Sequence, residues 1–343
     1  MPASAQLHRL AQQAGLVYFG AATDTPFQRE REPWSAEQHA RYEEILRDPD
    51  EFGQTTPTNG QKWLFTEPYP RIFNFTEGDV VADEVARKEG KLLRCHALVW
   101  HNQLAPWVEE KEWTKEELAE AIERHVRAVA GYYRGRCYAW DVVNEALDED
   151  GSYRQSLFYR VLGEEYIRIA FRAAADADPG ARLYYNDYGI ERPNSNKTAG
   201  VHRLVRMLRQ HGVLIDGIGM QGHFVAENHP SAEELEETMR GYAKLVDEVA
   251  VTELDVRINL PADEQKLQWQ KEAYQKVVEA CVKVRKCVGI TIWDFYDPFS
   301  WVPHYFPGEG EPLLWFQDFT KHPAYDGIVE KFKELIAANT TRT

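Results

Sequence analysis

The chain of 343 residues lacks any apolar stretch near the roughly 18 residues a membrane-spanning helix needs, which excludes such a span. Positive charge is in short supply: 40 Lys and Arg face 55 Asp and Glu, giving a net charge of −15 and an isoelectric point near 5.3. A surface of that sign repels nucleic acid and anionic lipid, so neither is an expected partner. Cysteine is scarce, four in all, and the spacing fits no metal site. No Gly-rich phosphate loop and no His-x-x-x-His helix pattern occurs, so no metal or cofactor is implied. No Ser/Gly/Pro-rich linker, short-period repeat or low-complexity segment divides the chain, which therefore reads as one domain over residues 1–343.

What the chain does contain is a regular alternation. Short strand-like runs recur at 18–23, 54–59, 92–100, 138–145, 182–187, 217–223, 248–255 and 289–295, with amphipathic helical stretches between them. Ser35-x-x-Gln38, Thr114-x-x-Glu117 and Ser231-x-x-Glu234 read as capping boxes that start helices. After Thr114, the residues Leu118, Ala121, Ile122, His125, Val126 and Val129 fall on one helical face. Strands that alternate with covering helices run parallel, because parallel strands need crossovers. Eight such units predict an α/β fold closed into a single (β/α)8 TIM barrel, whose active site gathers at the C-terminal strand ends.

Two of these runs end in a carboxylate. Trp140-Asp141-Val142-Val143-Asn144-Glu145 and Thr252-Glu253-Leu254-Asp255 place Glu145 and Glu253 about 108 positions apart, with Gln221-Gly222-His223 between them. Either one alone could be an exposed strand end. Together, at the same end of a barrel, they suggest a glycosidase with one acid and one nucleophile. The other polar or aromatic residues at strand ends are Asn59, His96, Trp100, His101, Gln221, His223, Asp255 and Trp293.

With these motifs in view, the chain resembles glycoside hydrolase family 10, the β-1,4-xylanases, and its fungal members in particular. The resemblance covers nearly the whole chain. It rests on Tyr18-Phe19-Gly20, Lys62-Trp63, His96-Ala97-Leu98-Val99-Trp100-His101, Trp140 to Ala146, Tyr185-Asn186-Asp187-Tyr188, Gln221-Gly222-His223-Phe224, Thr252 to Asp255 and Ile290 to Trp301. It implies a retaining endo-1,4-β-xylanase acting on xylan or xylo-oligosaccharides, as a monomer. Carried over residue by residue, Glu145 resembles the acid/base and Glu253 the nucleophile, with Asp255 holding His223 and His223 holding Glu253. Asn144 would reach the sugar 2-hydroxyl. Asn59, Lys62, His96 and Gln221 would bind the sugars nearest the cleavage point, and Trp100, Trp293 and Trp301 would form aromatic walls.

One departure bears on substrate choice. Where the family usually has Glu-Asn-Glu-Met-Lys-Trp, this chain has Thr58-Asn59-Gly60-Gln61-Lys62-Trp63, so Thr58 replaces a carboxylate expected to grip the sugar beyond the cleavage site. A glycoalkaloid hydrolase of tomatinase type is the alternative this suggests. A non-catalytic carbohydrate-binding barrel is a third, opposed by the presence of both Glu145 and Glu253.

Compartment follows from smaller signals. Residues 1–13 lack the apolar core of a signal peptide, so the chain is either intracellular or a mature form. Cys281 and Cys287 bracket a short stretch that a disulfide could close near the surface, and Asn74, Asn196 and Asn339 begin glycosylation triplets. Secretion is the expectation. For Cys95 and Cys137, free thiols and a second bridge are both open.

Overall fold

The computed structural model describes residues 6–24 and 35–340. Eight strands form a closed parallel ring. They are β1 (Tyr18–Thr23), β2 (Gln54–Pro57), β3 (Leu92–Trp100), β4 (Ala139–Asn144), β5 (Arg182–Asp187), β6 (Gly217–Met220), β8 (Glu248–Asn259) and β9 (Cys287–Ile292). Each pairs in parallel with its neighbour, and β9 closes the ring on β1 through Tyr18↔Gly289 and Ile292↔Ala21. This is the TIM barrel that the alternation predicts. No described helix is long and apolar enough to cross a membrane.

The three capping boxes are formed. In each, the Ser or Thr side chain accepts from the backbone three residues on, and the Gln or Glu at that position reaches back. The helix Lys115–Tyr132 buries the face read from its sequence, Leu118, Ala121, Ile122, His125, Val126 and Val129.

Strand ends differ from the sequence reading where pairing partners change. Thr58 and Asn59 lie beyond β2, because Pro57 closes its pairing with β1. The run 217–223 breaks after Met220, and β7 (His223–Val225) resumes the pairing further along β8. Strand β8 itself was expected to end at Asp255. It continues to Asn259, because β7 and the antiparallel β10 (Glu309–Gly310) supply further partners there.

The barrel floor is polar and aromatic. Arg94 pairs with Asp141 and lies 4.2 Å over the Tyr184 ring, while Tyr138 and Tyr184 both donate to Glu248. Such groups fit inside only where a neighbour has no side chain. A Cβ on Gly217 would fall 2.4 Å from the Tyr184 ring, and one on Gly289 would fall 2.4 Å from the Tyr18 ring.

Both cysteine pairs are bonded, Cys95 to Cys137 and Cys281 to Cys287. The second pair is not near the surface. Cys281 ends the buried face of the helix Glu264–Lys283 and Cys287 begins β9, so both sulfurs pack in the core. Asn74, Asn196 and Asn339 are exposed.

Candidate active site

The C-terminal strand ends open on a cleft of about 960 Å³. Of the residues expected there, Asn59, Lys62, His96, Trp100, Asn144, Glu145, Gln221, His223, Glu253, Trp293 and Trp301 line it. Asp255 does not. It is fully buried one layer behind His223.

Glu253 sits on β8 at the level where β6 ends. Its Oε1 accepts from Asn186 Nδ2 (2.7 Å), and its Oε2 faces His223 Nε2 (3.3 Å). His223 is held from behind by Asp255, whose Oδ2 lies 2.9 Å from its Nδ1 and also accepts from Trp301 Nε1 (2.7 Å). Burial would strip the proton from this histidine, but the adjacent Asp255 charge and bonds to both carboxylates outweigh it and push its pKa up to about 10. His223 is therefore an imidazolium that donates on both sides. For Glu253, burial favours the neutral acid, yet the His223 hydrogen bond and the positive field of the neighbouring histidines hold it below the ordinary carboxylate value. The group is ionised and fixed in one rotamer.

Glu145 is built differently. It follows the last residue of β4 with a backbone φ of 55°, a left-handed conformation that costs a non-glycine residue on the order of 1–3 kcal/mol. The surroundings hold it there: its N–H donates to Asn186 O (2.9 Å), and its carbonyl accepts from Arg154 Nε (3.1 Å). The carboxyl accepts from Trp100 Nε1 (2.8 Å) and Gln221 Nε2 (3.0 Å), and lies 3.9 Å from His101 Nδ1. Burial lowers the pKa of His101, so that ring is biased to its neutral form. The Asn144 amide links the two carboxyl environments, 2.9 Å from Asn186 Nδ2 and 3.3 Å from Gln221 Nε2. Two carboxyl groups thus share one cleft, one paired with a cation and the other held by neutral donors.

Beside them lies a polar corner. Lys62 Nζ donates to Asn59 Oδ1 (3.0 Å) and Gln103 Oε1 (2.6 Å), and stands 4.6 Å over the Trp100 ring. Burial lowers its pKa to about 8, against the pull of Glu253, Asp24 and Glu145. His96 contacts Asp141 on the floor (2.9 Å) and meets Trp293 edge-on at 5.4 Å. Opposite, Trp301 packs on His223 at 4.9 Å. Flat indoles beside clustered donors and acceptors suit a sugar, which offers apolar C–H faces and polar rims.

The pattern of glycosyl hydrolase family 10 matches residues 6–331 of this chain. The chain belongs to that family. Endo-1,4-β-xylanase A of Humicola insolens is 62% identical over 321 residues, 94% of this chain and 85% of that protein. Among solved structures, Penicillium canescens endo-1,4-β-xylanase XylE superposes with a TM-score of 0.90 at 38% identity, covering 96% of this chain and 98% of the other. Xylanase 10B of Thermotoga petrophila, in complex with xylobiose, gives a TM-score of 0.89 at 36% identity, over 96% and 98% of the two chains.

For a family 10 chain, sequence reading missed several cleft residues. Asp24, Gln103, Tyr188, Arg257, Asp294 and Tyr305 all line the cleft. Tyr188 and Asp294 lie within motifs that carry the family resemblance, and the others carried no local signal. The corner beside Thr58, expected to lack a carboxylate, contains Asp24 instead, which accepts from Asn59 Nδ2 at 2.5 Å.

Proposed function

We propose that this family 10 protein is a retaining endo-1,4-β-xylanase, a single catalytic domain that works as a secreted monomer on xylan and xylo-oligosaccharides. The observation that carries the reading is the pair of carboxyl groups in one cleft, with Glu253 ionised against His223 and Glu145 held by Trp100 and Gln221. In the first step the Glu253 carboxylate attacks the anomeric carbon and the glycosidic C–O bond breaks. Glu145 gives its proton to the departing oxygen, leaving a glycosyl ester on Glu253. In the second step the Glu145 carboxylate takes a proton from water, whose oxygen attacks the same carbon and releases Glu253. Two inversions return the original configuration.

Asn144 and Lys62 line the cleft with the two carboxyl groups, where they would meet the sugar that carries this carbon, and Trp100, Trp293 and Trp301 line it as faces on which sugars would stack. The three relatives named above are all xylanases, and none is named for a glycoalkaloid. The two disulfides support export, since such bonds persist in oxidising compartments.

The test is an assay on soluble xylan with tomatine as a parallel substrate. Xylan viscosity should drop faster than reducing ends accumulate, as internal cleavage requires, and tomatine should release no sugar. Glu253→Gln should lower kcat by about three orders of magnitude or more with substrate binding kept. A variant retaining a tenth of the wild-type kcat would show that Glu253 is not the nucleophile.

A further inference from the structure

Among the described residues eight large apolar side chains are exposed, and three of them, Tyr69, Ile72 and Tyr132, belong to one stretch of surface. Tyr69 bridges to Ile72, Phe73 stacks parallel to Phe75 at 6.1 Å, and Phe75 lies on Tyr132 at 3.7 Å. Contiguous apolar surface of this kind marks a place where something else packs. None of these side chains lines the cleft, so a substrate held there does not cover them.

Asn74 lies in the middle of this surface, between Phe73 and Phe75, and opens the triplet Asn74-Phe75-Thr76. Its own bonds leave one group over. The backbone N–H donates to Thr66 O (3.0 Å) and Oδ1 accepts from Thr76 N (3.1 Å), while Nδ2 has no partner among the described residues. The side chain is exposed yet locally fixed. A substituent on Nδ2 therefore breaks no hydrogen bond of the fold and starts in a defined direction, which limits the entropy lost when it settles. The Asn196 triplet lacks such a bed. It opens the helix Asn196–Gln210, its neighbours Asn194, Ser195 and Lys197 are polar, and the buried Thr198 hydroxyl is held against Ile190 O and Arg192 O.

Building on the secretion reading, we propose that Asn74 is an N-glycosylation site whose first N-acetylglucosamine lies on the apolar surface around Ile72, Phe73 and Phe75. During export Nδ2 attacks C1 of an oligosaccharide carried on a polyprenyl diphosphate. The N–C1 bond forms as the C1–O bond breaks, the lipid diphosphate departs, and a base of the transferase takes the amide proton. Thr76 supplies the hydroxyl that the triplet requires. Oδ1 is untouched, so its bond to the Thr76 N–H survives. A pyranose presents C–H groups on its faces, and these suit aromatic and branched apolar side chains. Contact there takes apolar area out of water in the folded state, so the glycan stabilises the fold.

The experiment compares the chain secreted from a eukaryotic host with the chain made in a bacterial periplasm, which oxidises cysteines but transfers no such glycan. Release by peptide N-glycosidase in heavy-oxygen water, followed by peptide mass spectrometry, should find position 74 converted to labelled Asp. Trimming the native glycoprotein to one sugar with an endo-β-N-acetylglucosaminidase should leave Tm unchanged. Asn74→Gln and Thr76→Ala should each lower Tm by about 2–4 °C more in the secreted form than in the periplasmic form. Ile72→Ser should shrink the Tm difference between the two forms. An unmodified Asn74 in secreted material whose cysteines are all bridged overturns the site. An occupied Asn74 whose substitution costs both forms equally overturns the seating of the sugar. Free cysteines in the secreted material count against the secretion reading itself, and this inference falls with it.

Discussion

At the scale of single residues, the cleft assigns charge by contact. Glu253 is kept ionised chiefly by the His223 bond working against burial. His223→Gln should therefore move the acid limb of the kcat/KM profile upward by about one pH unit, with little change on the alkaline side. A profile that keeps its shape while only its height falls would assign His223 a packing role. The same pair sets a stability window. His223, with its pKa raised from 6.5 to about 10, stabilises fully below pH 6.5, and that contribution is lost as pH rises through 10. Glu253, lowered from 4.5, stabilises fully above pH 4.5 and loses its contribution as pH falls through its depressed value. Both are complete between pH 4.5 and 6.5, so unfolding experiments should find the wild-type advantage over a Glu253→Gln, His223→Gln double variant greatest there. Glu145→Ala tests the other carboxyl. Activity on xylan, whose leaving group needs a proton, should collapse, while an aryl xylobioside loses far less and is rescued by azide in the second step. Equal losses without rescue would remove Glu145 from the acid/base role.

Legibility at this scale divided cleanly by mechanism. Glu145, Glu253 and Gln221 could be picked out because each closes or follows an apolar run, a place where a polar residue needs a reason. Asp24 and Gln103 could not, since each is one polar residue in a loop, and their importance lies in partners 35 and 44 positions away. Long-range pairing of that kind leaves no periodic trace. The Thr58 departure shows the converse: the lost carboxylate was visible, but not Asp24, just past the end of the neighbouring strand.

Elements were more legible than residues. Strands β1, β3 and β5 run over the residues read from sequence, because each is a run of strand-forming residues bounded by loop or helix signals. Failures fall at ends fixed by tertiary pairing, as where β8 gains β7 and β10 as partners beyond Asp255. Glycine requirements inside the barrel were equally hidden, since they depend on which ring crosses the floor. Gly289→Ala would press a methyl group into the Tyr18 ring, an overpacking of about 1–3 kcal/mol that should lower Tm by several degrees. Gly131, within the helix Lys115–Tyr132, has open space where a Cβ would go. Gly131→Ala should raise stability by about 0.5–1 kcal/mol, as helix propensity predicts. Differential scanning calorimetry of the two variants checks both signs, and a stabilised Gly289→Ala would mean that the floor has room to give.

For the molecule as a whole, the two disulfides differ in what they restrain. Cys95–Cys137 spans 42 positions and joins β3 to the entrance of β4, enclosing the whole crossover with its helix. Cys281–Cys287 spans 6 and only tightens the turn from the helix Glu264–Lys283 into β9. Chain-entropy reasoning makes the longer loop the stronger restraint on the unfolded state, at about 4 kcal/mol against about 2 kcal/mol. Packing enters as well, because both bridges are buried and each pair of alanines leaves a small void. Guanidinium unfolding of Cys95→Ala/Cys137→Ala should therefore show the larger loss of midpoint, and Cys281→Ala/Cys287→Ala the smaller. Material from an oxidising host, unfolded without reduction to expose these buried positions, should carry no thiol that reacts with alkylating reagent, as the proposed secretion requires. Reactive thiols at 281 and 287 in that unfolded, unreduced material would contradict secretion, and an inverted order of midpoints would show that native packing around the short bridge outweighs loop entropy.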